Sequence, residues 1–321
     1  MPEKTTNDLS DFPLAEYRFH FTAQTDFLLP PYTGSAWRGL FGHALKRTVC
    51  VTHEKHCENC LLWQQCVYSY IFETPPPATT TMMRKSKTAP HPFIIRPDPQ
   101  QAQTVKAGDS LFIDMVLIGR ANQQLPYIIH AMQQIGKRGI GFQRGKFALT
   151  FIEQYTKQGR QTIYYAGERL TALPATAIDI PPLPKSSVTL HFVTPFRSVQ
   201  RKNVIIEANF SFAALFTPLM RRLLLLSYFH TDYLFQPDFN QLIEQAKKLT
   251  LEKKALYWQD WQRYSSRQKT TMSLGGLMGS IELATADLQP FWSMLILGQY
   301  VHVGKVTVMG LGRYTLEYEK E

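Results

Sequence analysis

The stretch Gly136-Lys-Arg-Gly-Ile-Gly-Phe-Gln-Arg-Gly-Lys-Phe-Ala-Leu149 is repeated in outline by Gly304-Lys-Val-Thr-Val-Met-Gly-Leu-Gly-Arg-Tyr-Thr-Leu316. In each, an apolar helical pattern stops at Gly-Lys and glycines follow. A strand then opens with Gly, a basic residue, an aromatic, a small residue and Leu. Gly136 and Gly304 stand 168 positions apart and Gly145 and Gly312 stand 167 apart, about half of the 321 residues. A period of that size points to a duplicated domain.

Working outward, the first half reads as a strand at Tyr17–Thr22, a helix at Ser35–Val49, a Cys-bearing insertion and a polar, Pro-rich stretch from Pro75 to Pro99. A strand at Leu111–Ile118, a helix at Leu125–Ile135 and a strand at Lys146–Gln154 complete it. Pro174, Pro181, Pro182 and Pro184 mark a stiff, extended linker. Beyond it come a strand (Val188–Val193), helices (Phe212–Phe229 and Phe239–Lys248), strands around Gly275-Gly276, a helix (Leu288–Tyr300) and a last strand (Arg313–Tyr318). Strand-helix-strand-strand-helix-strand in each half is the ferredoxin-like plan. The expected fold is therefore α+β, with two tandem ferredoxin-like, RRM-like βαββαβ domains and a Cys-rich insertion in the first. The expected boundaries are 1–172, a linker at 173–187, and 188–321.

Composition narrows the function classes. With 44% hydrophobic residues the chain can bury a core, which argues against disorder. Its 35 Lys and Arg against 25 Asp and Glu give a formal charge of +10, which favours a polyanionic partner. Apolar runs such as Leu111–Gly119 and Leu223–Phe229 fall short of about 20 residues, so no membrane partner is expected. Met1-Pro-Glu-Lys-Thr-Thr-Asn-Asp has no apolar core after a basic start, so a cytoplasmic protein is expected.

At 100° per residue, Trp37, Leu40, Phe41, Ala44, Leu45 and Val49 share one face of the first helix, and Gly39, His43, Lys46 and Arg47 lie opposite. An imidazole kept neutral by two nearby cations, with a side-chain-free residue one turn earlier where a bulky ligand could approach, suits a general base; a solvated His on a basic helix is the simpler reading. His20, His230 and His302 are weaker candidates. The two Gly-rich loops are not nucleotide fingerprints, since each joins a helix to a strand. Their open backbone, with Lys137, Arg138, Lys146, Lys305 and Arg313, suits phosphate contacts, or simply the turn back onto a sheet. Trp258-Gln-Asp-Trp-Gln-Arg-Tyr-Ser-Ser-Arg-Gln-Lys269 interleaves aromatics with Arg263, Arg267 and Lys269, as base stacking on unpaired RNA would require. Core packing is the alternative for Trp258 and Trp261. All four cysteines, Cys50, Cys57, Cys60 and Cys66, fall within seventeen residues and could close a structural four-thiolate zinc site, with free thiols or an iron–sulfur cluster as alternatives.

Several blocks together resemble the CRISPR-associated RAMP endoribonucleases that process precursor CRISPR RNA, the Cas six family. They are Tyr32-Thr-Gly-Ser-Ala-Trp-Arg-Gly-Leu-Phe-Gly-His-Ala-Leu45, the cysteine cluster followed by Tyr70-Ile-Phe-Glu-Thr-Pro75, Arg263-Tyr-Ser-Ser-Arg-Gln268 with Gly275-Gly-Leu-Met-Gly279, His302-Val-Gly-Lys305 and Gly310-Leu-Gly-Arg-Tyr314. The terminal Gly-rich motif is common to many RAMP proteins, including ones that do not cut RNA. The resemblance implies a metal-independent cut in repeat RNA. A 2′-hydroxyl attacks its own phosphate and leaves 5′-hydroxyl and 2′,3′-cyclic phosphate ends. It implies no cofactor for catalysis and makes His43 the catalytic histidine, with Tyr32 and Lys46 as its expected partners and Arg47 as the competing cation. Arg38, Arg47 and the loop and patch cations are the expected RNA contacts. The implied partners are CRISPR repeat RNA and subunits of a CRISPR effector complex. The rival readings are a RAMP subunit that holds CRISPR RNA without cutting it, and a zinc-bearing basic module unrelated to CRISPR.

Overall fold

The structure, a computed structural model, describes residues 4–175, 178–200, 202–265 and 270–319, with the backbone alone at 262–265 and 270–273. Its contacts divide the chain into two units. The first is built on Phe12–Ala177 with Leu225–Tyr233, and the second on Ile178–Leu224 and Leu234–Glu321 with Lys4–Asp11.

The first unit contains β1 (Leu14–Ala23), α1 (Gly34–Val49), β2 (Phe93–Pro97), β3 (Ser110–Ile118), α2 (Leu125–Arg138), β4 (Phe147–Thr156) and β5 (Gly159–Tyr165). The sheet runs β2-β3-β1-β4-β5, antiparallel throughout. β1 forms because its side chains alternate: Tyr17, Phe19, Phe21 and Ala23 are buried, while Arg18, His20 and Thr22 are half-exposed. Phe19 stands opposite Ile113 on one side and Ile152 on the other, which fixes the register. Trp37 seats α1 on this face, its ring 5.6 Å from Phe21 and 5.4 Å from Phe147, and Phe41 meets Phe93 at 5.3 Å. α2 carries Pro126 in its first turn and Lys137 and Arg138 in its last, and Gly139 follows at φ 87°. That charge and terminator pattern is favourable for a helix C-terminus.

The second unit contains β6 (Val188–Phe196), α3 (Phe212–His230, the residues from Leu225 counting with the first unit), α4 (Phe239–Lys248), β7 (Leu251–Gln259), β8 (Gln262–Ser265), β9 (Thr270–Ser273), β10 (Gly276–Leu283), α5 (Trp292–Val301) and β11 (Tyr314–Glu317). The main sheet runs β7-β10-β6-β11, and β8 pairs with β9 as a separate ribbon. When the strands of each sheet are counted by appearance, both sheets read second, third, first, fourth, with a fifth strand added in the first unit. In both, helices follow the first and third strands.

Two strands, β2 and β5, are absent from the sequence reading. β2 lies within the stretch read as polar and Pro-rich. It tolerates Pro97 because it is an edge strand, and it buries Arg96 in an ion pair with Glu16. Among the described residues, α3 is long and apolar enough to cross a membrane, longer than the runs weighed from sequence; 67% of its most apolar window is buried inside the protein, as in a core helix.

Candidate functional site

α1 presents two adjacent stripes with opposite fates. Arg38, Gly42 and Lys46 form one, and the chain that follows the helix folds back over it. Phe72 lies so close to Gly42 that a Cβ there would come within 2.2 Å of the ring. The Arg38 guanidinium sits 4.2 Å above the same ring. Lys46 Nζ donates to the carbonyls of Glu54 (3.1 Å) and Lys55 (3.4 Å) and lies 5.7 Å from the Tyr68 ring. Gly39, His43 and Arg47 form the second stripe, four residues apart. His43 and Arg47 are exposed, and a Cβ at Gly39 would meet nothing within 4 Å.

The helical arithmetic had grouped Lys46 with His43 and Arg47. The structure separates them by one residue of offset and engages Lys46 with the returning segment. Tyr32 lies half-buried in the turn leading into α1, and desolvation pushes its phenol pKa up, so it stays a hydrogen-bond donor at neutral pH. Arg38, expected to meet RNA, is half-buried over Phe72.

The four cysteines are half-buried and free, and all four line one cavity together with Lys46, Trp63 and Tyr68. Among the described residues, however, no group of three or more His, Cys, Asp or Glu side chains is placed to hold a metal ion. The expected four-thiolate zinc site thus finds no support in the described geometry, although the four thiols share a cavity. The Lys46 ammonium hydrogen-bonds Cys57, putting a cation beside the thiols, and Thr52 Oγ1 lies 3.2 Å from Cys60 Sγ. Burial pushes the Cys57 thiol pKa up.

The three weaker candidates are held by their surroundings. His20 stacks on Phe151 at 4.0 Å and meets Glu153 at 2.7 Å. His230 is buried against the Pro90 carbonyl at 2.7 Å, and His302 is buried with Nδ1 3.2 Å from the Leu311 carbonyl.

Of the loop cations, Lys137, Arg138 and Lys146 in the first unit and Lys305 in the second are exposed, and Arg313 is half-exposed. The second loop is seated by a residue that sequence reasoning missed. The Arg197 carbonyl accepts from Lys305 N at 2.8 Å, and a Cβ at Gly304 would come within 2.4 Å of that oxygen. Arg197 itself donates to the Gly275 carbonyl at 3.0 Å, and its guanidinium lies 5.9 Å from the Trp258 ring. Its only signal in the sequence was the position directly after β6. Arg267 and Lys269 lie outside the described residues. For Arg263 the description is of backbone, paired with Met272 in the β8–β9 ribbon. A further cationic segment was also missed: Arg84, Lys85 and Lys87 are exposed in a stretch with no acidic residue between Glu73 and Asp98, and Tyr228 OH anchors it by accepting from Thr81 N at 2.9 Å.

Comparison with known proteins gives this geometry its context. Residues 190–314 match the family described as CRISPR-associated endoribonuclease Cas6, and residues 12–176, half of the chain, match a family described as an N-terminal domain, AF_1859_N. A protein of Archaeoglobus fulgidus described as uncharacterized is 26% identical over 112 residues, which is 35% of this chain and 37% of that protein. Among solved structures, the product complex of Cas6 (TTHB231) aligns with a TM-score of 0.58 at 13% identity, over 95% of this chain and 99% of that one. Thermus thermophilus Cas6 (TTHB231) aligns over the same shares at 13% identity and a TM-score of 0.54. A chain of a partial Cas6-RT-Cas1–Cas2 complex aligns at 0.58 and 15% identity, over 97% of this chain and 47% of that one. At these identities the solved structures speak for the fold, mixed α and β as in Cas6 proteins, and the matched families speak for descent. Through the match over residues 190–314, the chain belongs to the CRISPR-associated Cas6 endoribonuclease family.

Proposed function

We propose that this protein is an endoribonuclease that cuts precursor CRISPR RNA within its repeats, with His43 as the group that moves the proton. The observation that carries the proposal is the open Gly39–His43–Arg47 stripe of α1, beside a stripe that the chain itself covers. A 2′-oxygen loses its proton and attacks the adjacent phosphorus, the bond from phosphorus to the 5′-oxygen breaks, and the leaving oxygen gains a proton. The products carry a 2′,3′-cyclic phosphate and a 5′-hydroxyl. His43 takes the first proton or supplies the last. Arg47, rather than Lys46, lies on the same stripe and donates to the non-bridging oxygens as charge builds there. Tyr32, held protonated by its surroundings, serves as a further donor. The nucleophile is internal to the substrate and the remaining steps are proton transfers, so the reaction needs no metal.

The shared strand order supports reading both halves as tandem ferredoxin-like domains, 1–172 and 188–321, joined at 173–187, with the cysteine segment as an insertion in the first. The proposed setting is the cytoplasm, with repeat RNA as the partner and effector-complex subunits as recipients of the product. The test incubates the full chain with a repeat RNA in EDTA, beside a copy carrying one 2′-deoxy nucleotide at the cut site. The proposal expects cutting of the first only. Cutting of the deoxy copy, or full activity in His43→Ala, sinks the mechanism. Tight binding without any cutting supports the holder subunit instead.

A further inference from the structure

Trp258 is 36% exposed at the end of edge strand β7, an unusual place to leave an indole. Its polar edge is already satisfied, because Nε1 donates to Asp260 Oδ1 at 3.0 Å. Gly275 makes that clamp fit: a Cβ there would lie 2.3 Å from Asp260 Oδ1 and 2.9 Å from the indole nitrogen. The same Gly275 offers its carbonyl to Arg197 at 3.0 Å, and the Arg197 guanidinium stands 5.9 Å from the indole centroid. Arg197 in turn carries Lys305 of the Gly-rich loop through its carbonyl. A ring fixed in orientation, with its hydrogen-bonding edge used up and one cation at its side, has only its apolar face left for a ligand.

We infer that Trp258 is a stacking platform for one unpaired nucleobase of the bound RNA, with Arg197 and Lys305 placed for the neighbouring phosphates. The inference rests on the reading of the protein as an RNA-processing enzyme and adds a position-specific contact to it. Planar, apolar and sequence-tolerant, such a contact belongs to a single-stranded segment, because a base inside a duplex has both faces covered by its stacked neighbours. An apolar protein segment would also cover an indole but would gain nothing from the two cations.

The test measures dissociation constants of the full chain, Trp258→Phe and Trp258→Leu for a repeat RNA and for copies carrying one abasic nucleotide at successive positions. Trp258→Leu keeps apolar bulk and removes the aromatic face. It should bind intact RNA roughly 5- to 100-fold more weakly, while Trp258→Phe stays near wild type. At one abasic position the wild type should fall to the level of Trp258→Leu, which loses nothing more there. Binding of Trp258→Leu equal to wild type, or a deficit that persists at every abasic position, overturns the inference. If the wild type neither binds nor cuts the repeat, the enzyme reading falls first; if the wild type cuts and Trp258→Leu is indistinguishable from it, the platform alone falls.

Discussion

At the scale of single residues, one step of offset along α1 decides which cation meets solvent. Lys46 holds the carbonyls of Glu54 and Lys55, whereas Arg47, next in sequence, is exposed one turn from His43. Replacing His43 by Ala should slow single-turnover cleavage by about 10²- to 10⁴-fold and leave RNA affinity nearly unchanged. Arg47→Ala should slow it by roughly 10²-fold, the usual cost of losing one donor to developing charge, whereas Lys46→Met should chiefly lower the melting temperature. Equal cleavage defects in the two cation variants would refute the division between stripes. Gly42→Ala should destabilise by about 1–3 kcal/mol in denaturant titration, because the new methyl meets the Phe72 ring. The buried face of α1 was legible from its period of 3.6 through Trp37, Phe41 and Leu45. The fate of the polar face was not, because it depends on a segment that returns from up to 34 positions later, from Arg38 to Phe72.

Elements were legible where their periodicity is local. The α4 boundaries, Phe239–Lys248, follow from the pattern, with Asp238 capping Gln241 N at 2.9 Å. β2 was not legible, because five residues ending in Arg96-Pro97 acquire their meaning from Glu16 on another strand. The cysteine segment was only partly legible for a related reason. Spacing describes which ligands are near in sequence, and the position of the Lys46 ammonium beside Cys57 is a tertiary fact. Alkylation of the native protein with and without a chelator decides the state of the thiols: equal numbers modified are the outcome for free cysteines, and a chelator-dependent increase is the outcome for a metal site. β10 is tied at its end by Glu282, which meets Lys253 at 2.7 Å and accepts from Ser187 at 2.9 Å. These partners hold its carboxyl below the ordinary value of 4.5. The tie stabilises the fold above that value and is lost as pH falls through the depressed one. Thermal midpoints should accordingly fall more steeply on acidification in the wild type than in Glu282→Gln.

On the scale of the whole molecule, the two Gly-rich stretches belong to units whose sheets share one strand order, and the +10 charge is spread over both units. If Arg47, Lys137, Arg138, Lys146 and Lys305 all meet phosphates, log affinity against log salt should have a slope near −3.5, at about −0.7 per contact on single strands. Raising salt from about 50 to 200 mM would then weaken binding roughly 100-fold, measurable by fluorescence anisotropy. A slope near zero would remove electrostatics from the account of recognition. The two units share a plan and differ in the helix after the first strand. α1 carries an open polar stripe, whereas α3 is Leu-rich, and its single histidine, His230, is buried against Pro90. The second-unit helix that corresponds to α1 thus offers no exposed histidine to match the role proposed for His43. A non-cleavable 2′-deoxy repeat should therefore titrate the protein at one RNA per chain, and one inactivating modification at His43 should silence a whole molecule.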